Sequence, residues 1–388
     1  MALKKVYFDL LVFLFSSTLV CIIWSVSGGV RDLITPILLH IATGLFILFA
    51  GWQVTLLLKK LIFIGYSVDP SGKAVLITGC DTGFGHSTAL ELNKKGFKVY
   101  ATCLFPNGDG AHVLRNECKF PDRMKILAMD IRKKEDIKAA HKEVEEDLQS
   151  SGFILWALIN NAGIFRWGPI EWGDFDDHIM EPVRVNQIGT IMVTRTFLPL
   201  IRASHGRITN VTSATGRKCM PYMGAYSMSK FALIAFCEAL RWELRRFGVK
   251  VISIEPAVAN TAIASFENIN NIIGNVRKET SKDILEQYSA KTWEEMFALT
   301  HFSHFAPQNA VRLGTIEAIC RTVIDYDPEF SIHISPFYVR ILFILMNLVP
   351  ERWTLLFATL FPIFSNYRRC KECKIFDDLS GFDRQRKN

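Results

Sequence analysis

The most constraining feature of the sequence is a regular alternation of short β-rich runs and helix-compatible segments between residues 73 and 254. Each β-rich run has the length of a strand and is bounded by turn-forming or polar residues. Six such runs occur: Lys73–Thr78, Lys98–Cys103, Met124–Met129, Leu155–Ile159, Arg207–Val211 and Val249–Ile254. Helical segments separate them, among them Gly85–Lys95, Lys133–Leu148 and residues 226 to 247. The pattern predicts an α/β fold, a doubly wound parallel sheet with helices on both faces.

A glycine-rich loop joins the first predicted strand to the first predicted helix, and it reads Thr78-Gly79-Cys80-Asp81-Thr82-Gly83-Phe84-Gly85. Glycines at these places permit a tight turn and let a pyrophosphate approach the backbone. The helix that follows offers its N-terminal amides to the phosphate charge. We therefore predict a Rossmann-type dinucleotide site at the carboxyl ends of the strands.

The end of the second predicted strand bears on which dinucleotide binds. Dinucleotide sites often place an acid there for the adenosine ribose, or a basic residue for a 2′-phosphate. This chain has Thr102-Cys103-Leu104, which offers neither. Asp81 adds a negative charge inside the glycine loop, which disfavours a phosphate beside it. These residues predict NAD rather than NADP.

A tyrosine and a lysine, Tyr226 and Lys230, stand four residues apart in a helix-compatible run and so share one helix face. An ammonium close to a phenol lowers the phenol pKa from about 10. Such a tyrosine can act as a general base near neutral pH. Ser213 lies just past the fifth predicted strand, where its hydroxyl could hydrogen-bond a substrate oxygen.

Together these motifs resemble the short-chain dehydrogenase/reductase family over about residues 72–335. Four motifs match in order: Thr78–Gly85, Asn160-Asn161-Ala162-Gly163, Ser213, and Tyr226 with Lys230. Three further stretches, Gly79–Gly85, Phe197–Leu200 and Gly248–Val251, are similar to a membrane-associated branch of the family. That branch holds retinol dehydrogenases, type 2 11β- and 17β-hydroxysteroid dehydrogenases and mitochondrial 3-hydroxybutyrate dehydrogenase.

The resemblance implies a role for each matching residue. Tyr226 exchanges the hydroxyl proton, Lys230 depresses its pKa and holds the nicotinamide ribose, and Ser213 orients the substrate oxygen. Asn186 matches the family's helical asparagine, which anchors a proton-relaying water, and Asp130 matches an adenine-contacting acid. The implied cofactor-binding set is Gly79, Asp81, Thr82, Gly83, Phe84, Gly85, Asp130, Asn161, Gly163, Tyr226, Lys230 and Thr261. The resemblance also implies a homodimer.

One departure from the family pattern follows the sixth predicted strand. The family usually has Pro-Gly there, whereas this chain has Pro256-Ala257, with Thr261 retained. If the backbone φ is positive at that place, alanine costs about 1 kcal/mol or more and weakens cofactor binding.

The chain has apolar ends. Val6–Ser27 and Leu33–Leu58 are each long enough to cross a bilayer, with a turn predicted at Gly28–Asp32. A helical hairpin fits this pattern, with a single signal-anchor or a cleaved signal peptide as alternatives. Lysine pairs that flank both runs favour the cytoplasmic side for the two hairpin ends. The predicted domains are a membrane anchor over 1–70, a catalytic domain over 71–335, and membrane-associating helices with a basic tail over 336–388.

The apolar stretch Phe337–Phe364 is interrupted by charges and prolines, which favours two helices lying in the membrane interface over one spanning helix. An ordinary hydrophobic helix pair is the alternative. The net charge of +7 lies largely beside the apolar ends, which argues for contact with membrane lipid and against nucleic acid. We expect an endoplasmic reticulum membrane first and a mitochondrial membrane second.

Nine irregularly spaced cysteines imply no disulfide framework and fit a reducing compartment. Cys370 with Cys373, and His301 with His304, lack a second ligand pair at a recognisable spacing. The sequence therefore predicts no metal site.

The segment Ala262–Leu299 follows Pro256, where the family covers its substrate. Its large side chains favour a hydrophobic alcohol such as a steroid or retinoid, although they could instead pack on the sheet or face a membrane. They are Phe266, Ile269, Ile272, Ile273, Tyr288, Trp293, Met296 and Phe297. The alternative substrate is 3-hydroxybutyrate, whose carboxylate needs a cationic clamp. The candidates for that clamp are His205, Arg217, Lys218 and Arg277.

Two other classes of protein remain open, a non-catalytic NAD-binding membrane protein and a structural membrane or lipid-droplet protein. NAD-dependent turnover distinguishes an enzyme from both of these classes. NAD binding without turnover distinguishes the non-catalytic NAD-binding protein from the structural protein.

Overall fold

The computed structural model describes residues 28–62, 66–257, 259, 265–288 and 308–341. These residues form two compact units, a long apolar helix and an α/β unit that begins at Ser67.

The first unit is helix α1, Gly28–Ile62. Its stretch Thr35–Thr55 is long and apolar enough to cross a membrane, by length and composition. The helix is longer at both ends than the predicted segment 33–58, and the turn predicted at Gly28–Asp32 is wrong because those residues are helical. The run Val6–Ser27 lies outside the described residues, so the hairpin stays a prediction.

The second unit is built on one sheet of seven parallel strands. The strands are β1 Lys73–Ile77, β2 Lys98–Cys103, β3 Met124–Ala128, β4 Ile154–Asn160, β5 Arg207–Val211, β6 Lys250–Pro256 and β7 Ser331–Ile334. Their order is β3-β2-β1-β4-β5-β6-β7, so the connections reverse direction between β1 and β4. The doubly wound fold is confirmed, with β7 as a seventh strand that the sequence analysis did not predict. A ligand crevice is expected at that reversal, outside the carboxyl ends of the strands.

Helices cover both faces of the sheet. They are α2 Gly83–Lys94, α3 Asp109–Glu117, α4 Lys134–Ser151, α5 Thr190–Ala203, α6 Gly224–Leu244, α7 Phe266–Lys278, α8 Lys282–Gln287 and α9 Gln308–Ile324. Two π-helical segments, Phe175–Met180 and Val183–Gly189, lead into α5, and short 3₁₀ turns occur at Pro121–Arg123, Ala214–Gly216 and Arg245–Phe247.

The core consists of two apolar layers, because successive strand residues point to opposite faces of the sheet. Leu76 packs with Phe197 of α5 on one face, in a layer that α4 and α6 complete. Its neighbour Val75 packs with Leu92 of α2 and Ile319 of α9 on the other face. Burial on both sides explains why β1 is apolar from Ala74 to Ile77 rather than alternating.

A third apolar cluster lies beyond the carboxyl ends of the strands. Ile269 and Ile273 of α7 are buried there, against Trp167 and Trp172 from the segment that follows β4. The cluster also includes Tyr226. Much of the apolar surface of α7 is therefore used in packing over this end of the sheet. The side chain of Phe266 and residues Trp293, Met296 and Phe297 lie outside the described part of the chain.

Candidate active site

The glycine loop is fastened to the end of β4. Asn161 donates from Nδ2 to the carbonyl oxygens of Thr78 (2.9 Å) and Gly79 (3.0 Å). The Thr78 hydroxyl oxygen accepts the backbone N–H of Asn161 and of Ala162, each at 2.9 Å. A Cβ on Gly85 would lie 2.4 Å from Asn161 Nδ2 and 2.4 Å from the Gly79 oxygen, so only glycine fits. Asn161, predicted to contact cofactor, here shapes the loop itself.

The N-terminus of α2 has the donor chemistry that a diphosphate needs. Its N-cap residue Thr82 makes no side-chain capping bond, and the first turn holds no acidic residue. Gly79 and Gly83 adopt φ values of +70° and +68°, which a glycine tolerates without strain. The first amides of a helix lack partners within it, so this loop suits an anionic phosphate group.

Asp81 reaches from the glycine loop to the end of β2. Its carboxylate accepts the backbone N–H of Leu104 (3.0 Å) and of Phe105 (2.9 Å). The acid missing from the β2 end in the sequence is thus supplied by the loop. A negative charge stands where an adenosine ribose approaches in this kind of fold.

Asp130 lies at the end of β3, as predicted, and is nearly fully buried. Its two carboxylate oxygens accept from Arg132, through Nε at 2.9 and 3.1 Å and through Nη2 at 2.7 Å. These hydrogen bonds hold the pKa of Asp130 below its usual value. The acid is therefore part of an ion pair within the protein, and the predicted adenine contact stays a prediction.

Asn186 lies in the π-helical segment Val183–Gly189 and is fully buried. Its Oδ1 accepts the N–H of Ile164 at 2.8 Å, and its Nδ2 donates to the Ile164 carbonyl (3.0 Å) and to the Ser229 hydroxyl (2.9 Å). A Cβ on Gly163 would lie 3.1 Å from Asn186 Oδ1 and 3.6 Å from Lys230 Nζ. The asparagine therefore joins the loop after β4 to the helix that carries Lys230.

The remaining predicted catalytic residues come together at the start of α6. Ser213 and Tyr226 are hydrogen-bonded through their side chains. The Tyr226 ring packs edge-on against Phe165, with centroids 4.9 Å apart. Lys230 Nζ lies 5.7 Å from the Tyr226 ring centroid and donates to the Val211 carbonyl at 3.0 Å. The structure thus brings the phenol, the ammonium and the serine hydroxyl into one cluster.

The pKa values in this cluster differ from the sequence expectation. Burial raises the pKa of Tyr226 to about 12, although the hydrogen bond from Ser213 acts in the opposite direction. Burial also lowers the pKa of Lys230 to about 8. The expectation that Lys230 depresses the tyrosine pKa below 10 does not hold for the protein alone, because desolvation by burial is the largest effect on Tyr226.

The segment after β6 also differs from the expectation of strain. Among the described residues, the non-glycine positions with positive φ are His205 and Tyr222, so Ala257 is not strained. Its N–H donates to the Ile334 carbonyl of β7 at 2.8 Å. Thr261 lies outside the described residues.

Four residues were candidates for binding a substrate carboxylate, and two of them, Arg217 and His205, contact other groups of the protein. Arg217 binds the buried Glu255 through Nε (3.1 Å) and Nη2 (2.9 Å), and Glu238 through Nη1 (3.0 Å). His205 precedes β5 and so lies at the amino edge of the sheet, where its Nδ1 contacts the Phe247 carbonyl. Sequence reasoning missed Glu255 because a lone acid in a strand carries no motif. In the part of the chain that the structure describes, no group of three or more His, Cys, Asp or Glu side chains could hold a metal ion.

A doubly wound sheet, a glycine loop at its switch point and a Ser-Tyr-Lys cluster define a dinucleotide-dependent oxidoreductase. Comparison with known proteins narrows the class. The model of the short chain dehydrogenase family matches residues 73–272, and the chain belongs to that family. Its members use a nicotinamide cofactor and act on CH–OH groups, so this chain is a short-chain alcohol dehydrogenase.

Individual relatives place it within the branch that the sequence resembled. The chain is 42% identical over 224 residues to 17-beta-hydroxysteroid dehydrogenase type 6 of Bos taurus, and the aligned residues cover 57% of this chain and 68% of the relative. It is 36% identical over 230 residues to the mitochondrial D-beta-hydroxybutyrate dehydrogenase of Rattus norvegicus, covering 59% and 67%. It is 39% identical over 216 residues to retinol dehydrogenase 7 of Mus musculus, covering 56% and 66%.

Solved structures agree on the fold. A short-chain dehydrogenase from Streptomyces avermitilis is 23% identical, covers 74% of this chain and 96% of its own, and has a TM-score of 0.57.

Proposed function

We propose that this protein is a membrane-anchored, NAD-dependent dehydrogenase that interconverts a hydrophobic alcohol and its carbonyl form, with Tyr226 as general base and acid. The observation that carries the proposal is the buried cluster in which Ser213 hydrogen-bonds Tyr226 next to Lys230. A phenol in hydrogen-bonding reach of a second hydroxyl, with a lysine behind it, is equipped to exchange a proton with an alcohol.

Each residue of the cluster has its own task. In the oxidising direction the Tyr226 oxygen takes the hydroxyl proton of the substrate, and the Ser213 hydroxyl stabilises the phenolate by donating to it. Burial lowers the pKa of Lys230 to about 8, and its ammonium lies beside the Tyr226 ring, where its charge favours the phenolate. Asn186 fixes the loop after β4 beside Lys230. When bound, the nicotinamide cofactor supplies the hydride acceptor; the glycine loop and the N-terminus of α2 would hold its phosphates.

The preference for NAD rests on Asp81. Its carboxylate is held at the end of β2 by the N–H groups of Leu104 and Phe105. A 2′-phosphate placed near this charge would be repelled, and a repulsion of about 1.4 kcal/mol already corresponds to ~10-fold in affinity. We therefore expect kcat/KM for NAD⁺ to exceed that for NADP⁺ by about this factor or more.

The substrate class rests on the apolar cluster of α7. Ile273, Trp167 and Phe165 line the region beyond the strand ends, next to Tyr226. The engagement of Arg217 by Glu255 and Glu238 removes one candidate carboxylate clamp. A steroid or retinoid alcohol is favoured, and the similarity to a hydroxybutyrate dehydrogenase keeps 3-hydroxybutyrate as the second candidate.

The membrane anchor and the assembly are part of the same proposal. Helix α1 anchors the enzyme, with the endoplasmic reticulum proposed before mitochondria. Helix α6 exposes an apolar stripe of Met228, Phe231 and Trp242, with exposed fractions of 52%, 42% and 77%. Spacings of three and eleven residues place them on one helix face, which suits pairing with a second copy beside the active site.

The test is NAD⁺ reduction by detergent-solubilised protein given a panel of hydroxysteroids, retinol and 3-hydroxybutyrate. Turnover of a hydrophobic alcohol that Tyr226→Phe abolishes supports the proposal. Tyr326→Phe is the matched control, since this tyrosine is exposed and precedes β7 at the amino edge of the sheet. A preference for 3-hydroxybutyrate would contradict the proposed steroid or retinoid substrate and favour the second candidate. NAD binding without any turnover would favour the non-catalytic binder.

A further inference from the structure

A carboxylate with no part in the proposed chemistry is fully buried at the carboxyl end of β6. Glu255 accepts hydrogen bonds from the hydroxyls of Ser331 (2.7 Å) and Ser253 (3.1 Å), and its Oε2 lies 3.0 Å from His333 Nδ1. Arg217 adds a two-pronged contact at 3.1 and 2.9 Å. Burial would raise the pKa of Glu255, but these donors bring it to about 2, so the carboxylate stays ionised. A fully buried carboxylate paired with the more exposed Arg217 calls for a role, because burying a charge is costly.

Arg217 connects this carboxylate to two other elements. It directly follows the 3₁₀ turn Ala214–Gly216, and its own N–H closes that turn on the Ala214 carbonyl at 3.0 Å. Its Nη1 reaches Glu238 of α6 at 3.0 Å. One guanidinium therefore fixes the end of the turn to β6 and to the helix that carries Tyr226 and Lys230.

The turn itself has no room to move toward α6. A Cβ on Gly216 would lie 2.8 Å from the Lys230 carbonyl oxygen and 2.7 Å from Ile234 Cδ1. The backbone of the turn thus rests directly on the helical turn that holds Lys230. Arg217 ties the end of the same turn to β6 through Glu255.

The same turn decides where the proton of Ser213 points. Thr215 donates both its N–H (3.2 Å) and its hydroxyl (2.9 Å) to Ser213 Oγ. A serine hydroxyl has two acceptor lone pairs and one proton. With both lone pairs occupied, the proton is left to donate to Tyr226, which is the bond that opposes the rise of the tyrosine pKa.

We propose that Arg217 and Glu255 are positioning residues that hold the turn Ser213–Gly216 so that the Ser213 proton is directed at Tyr226. This role rests on the proposed function of Tyr226 as general base. The titratable groups around the assembly are Lys230, Cys237 and Glu238 on α6 and His333 on β7. Loosening the ion pair frees Thr215, lets the serine proton turn away and leaves the phenolate less stabilised.

The test compares variants on the substrate of the panel that the wild type turns over best. Arg217→Met removes the charge and keeps much of the stem. The double variant Arg217→Met/Glu255→Gln also removes the buried carboxylate, so that a folded protein is available if the single variant is unstable. Arg217→Lys restores the charge without the two-pronged geometry. Lys250→Met is the matched control, because its ion pair with Asp327 (2.9 Å) lies at the other end of β6.

We expect Arg217→Met and the double variant to lose about 10-fold or more in kcat, since small displacements of catalytic groups cost this much. The pH at which kcat/KM for alcohol oxidation rises should move up by about 1 unit, because the phenolate loses a donor. The KM for NAD⁺ should stay within ~3-fold of the wild type. The kcat of Arg217→Lys should lie between those of Arg217→Met and the wild type. The kcat and pH profile of Lys250→Met should match those of the wild type.

Two results would overturn the positioning role alone, given a wild type that Tyr226→Phe inactivates. One is a folded Arg217→Met or double variant with the kcat and the pH profile of the wild type. The other is a loss that lies in the KM for NAD⁺ with an unmoved pH profile, which marks a merely structural role. A Tyr226→Phe variant that keeps full activity would instead overturn the proposed function, and the positioning role with it.

Discussion

Gly85→Ala tests the glycine loop as a cofactor site. The new Cβ would lie 2.4 Å from Asn161 Nδ2 and from the Gly79 oxygen, whereas an ordinary contact is 3.4 Å or more. The loop and the asparagine must therefore separate by about 1 Å. The two hydrogen bonds from Asn161 to the loop, now 2.9 and 3.0 Å long, would then exceed hydrogen-bonding distance.

Each lost bond costs about 1 kcal/mol net, so the loop geometry is destabilised by about 2 kcal/mol. If binding must restore that geometry, the Kd for NAD⁺ rises by about 30-fold. Isothermal titration calorimetry measures the Kd for NAD⁺. Urea unfolding of the same samples shows how much of the cost of about 2 kcal/mol, from two lost hydrogen bonds, instead lowers the free energy of unfolding. Gly314→Ala is the control, because its Cβ would meet only Ile334 at 3.4 Å. An unchanged Kd together with unchanged stability would refute the reasoning.

Three further results are expected. Asp81→Asn should narrow the preference for NAD⁺ over NADP⁺ in kcat/KM by about 10-fold, and an unchanged ratio would locate the discrimination elsewhere. Because the pKa of Glu255 is about 2 instead of its ordinary 4.5, its carboxylate stabilises the fold above pH 4.5 and loses that contribution as the pH falls toward 2. The stability of Glu255→Gln, followed by circular dichroism in acid, should therefore depend less on pH than the stability of the wild type. An equal dependence in the two proteins would contradict this contribution of Glu255. Phe197→Ala, in the fully buried core, should lower the free energy of unfolding in urea by about 3–5 kcal/mol, whereas the exposed Phe330→Ala should cost far less.

The sequence predicts the sheet well wherever strands are buried on both faces. β1, β2 and β5 are buried along nearly their whole length because helices cover both sides of the sheet, and their bounds agree with the prediction to within a residue. β7 has four residues, Ser331–Ile334, one of which, His333, is exposed. A short, polar-containing edge strand gives no period of its own, so only its pairing with β6 reveals it.

The site shows the same division between local pattern and three-dimensional environment. The four-residue spacing of Tyr226 and Lys230 correctly predicts that they share a helix face. The spacing contains no information on burial, which raises the pKa of Tyr226 and lowers the pKa of Lys230. The π-helical turn that holds Asn186 is equally invisible in propensities, because it depends on packing against Ile164 and Ser229.

Strand β7 also imposes an order on the synthesis of this protein. Glu255 receives two of its contacts from Ser331 and His333, so β6 remains an open edge and the carboxylate lacks these two partners until translation has passed these residues. By then α1, far earlier in the chain, has long left the ribosome. A nascent chain therefore exposes its apolar helix well before its sheet can be completed, and an arrest before residue 331 leaves the sheet without the strand that covers the edge of β6.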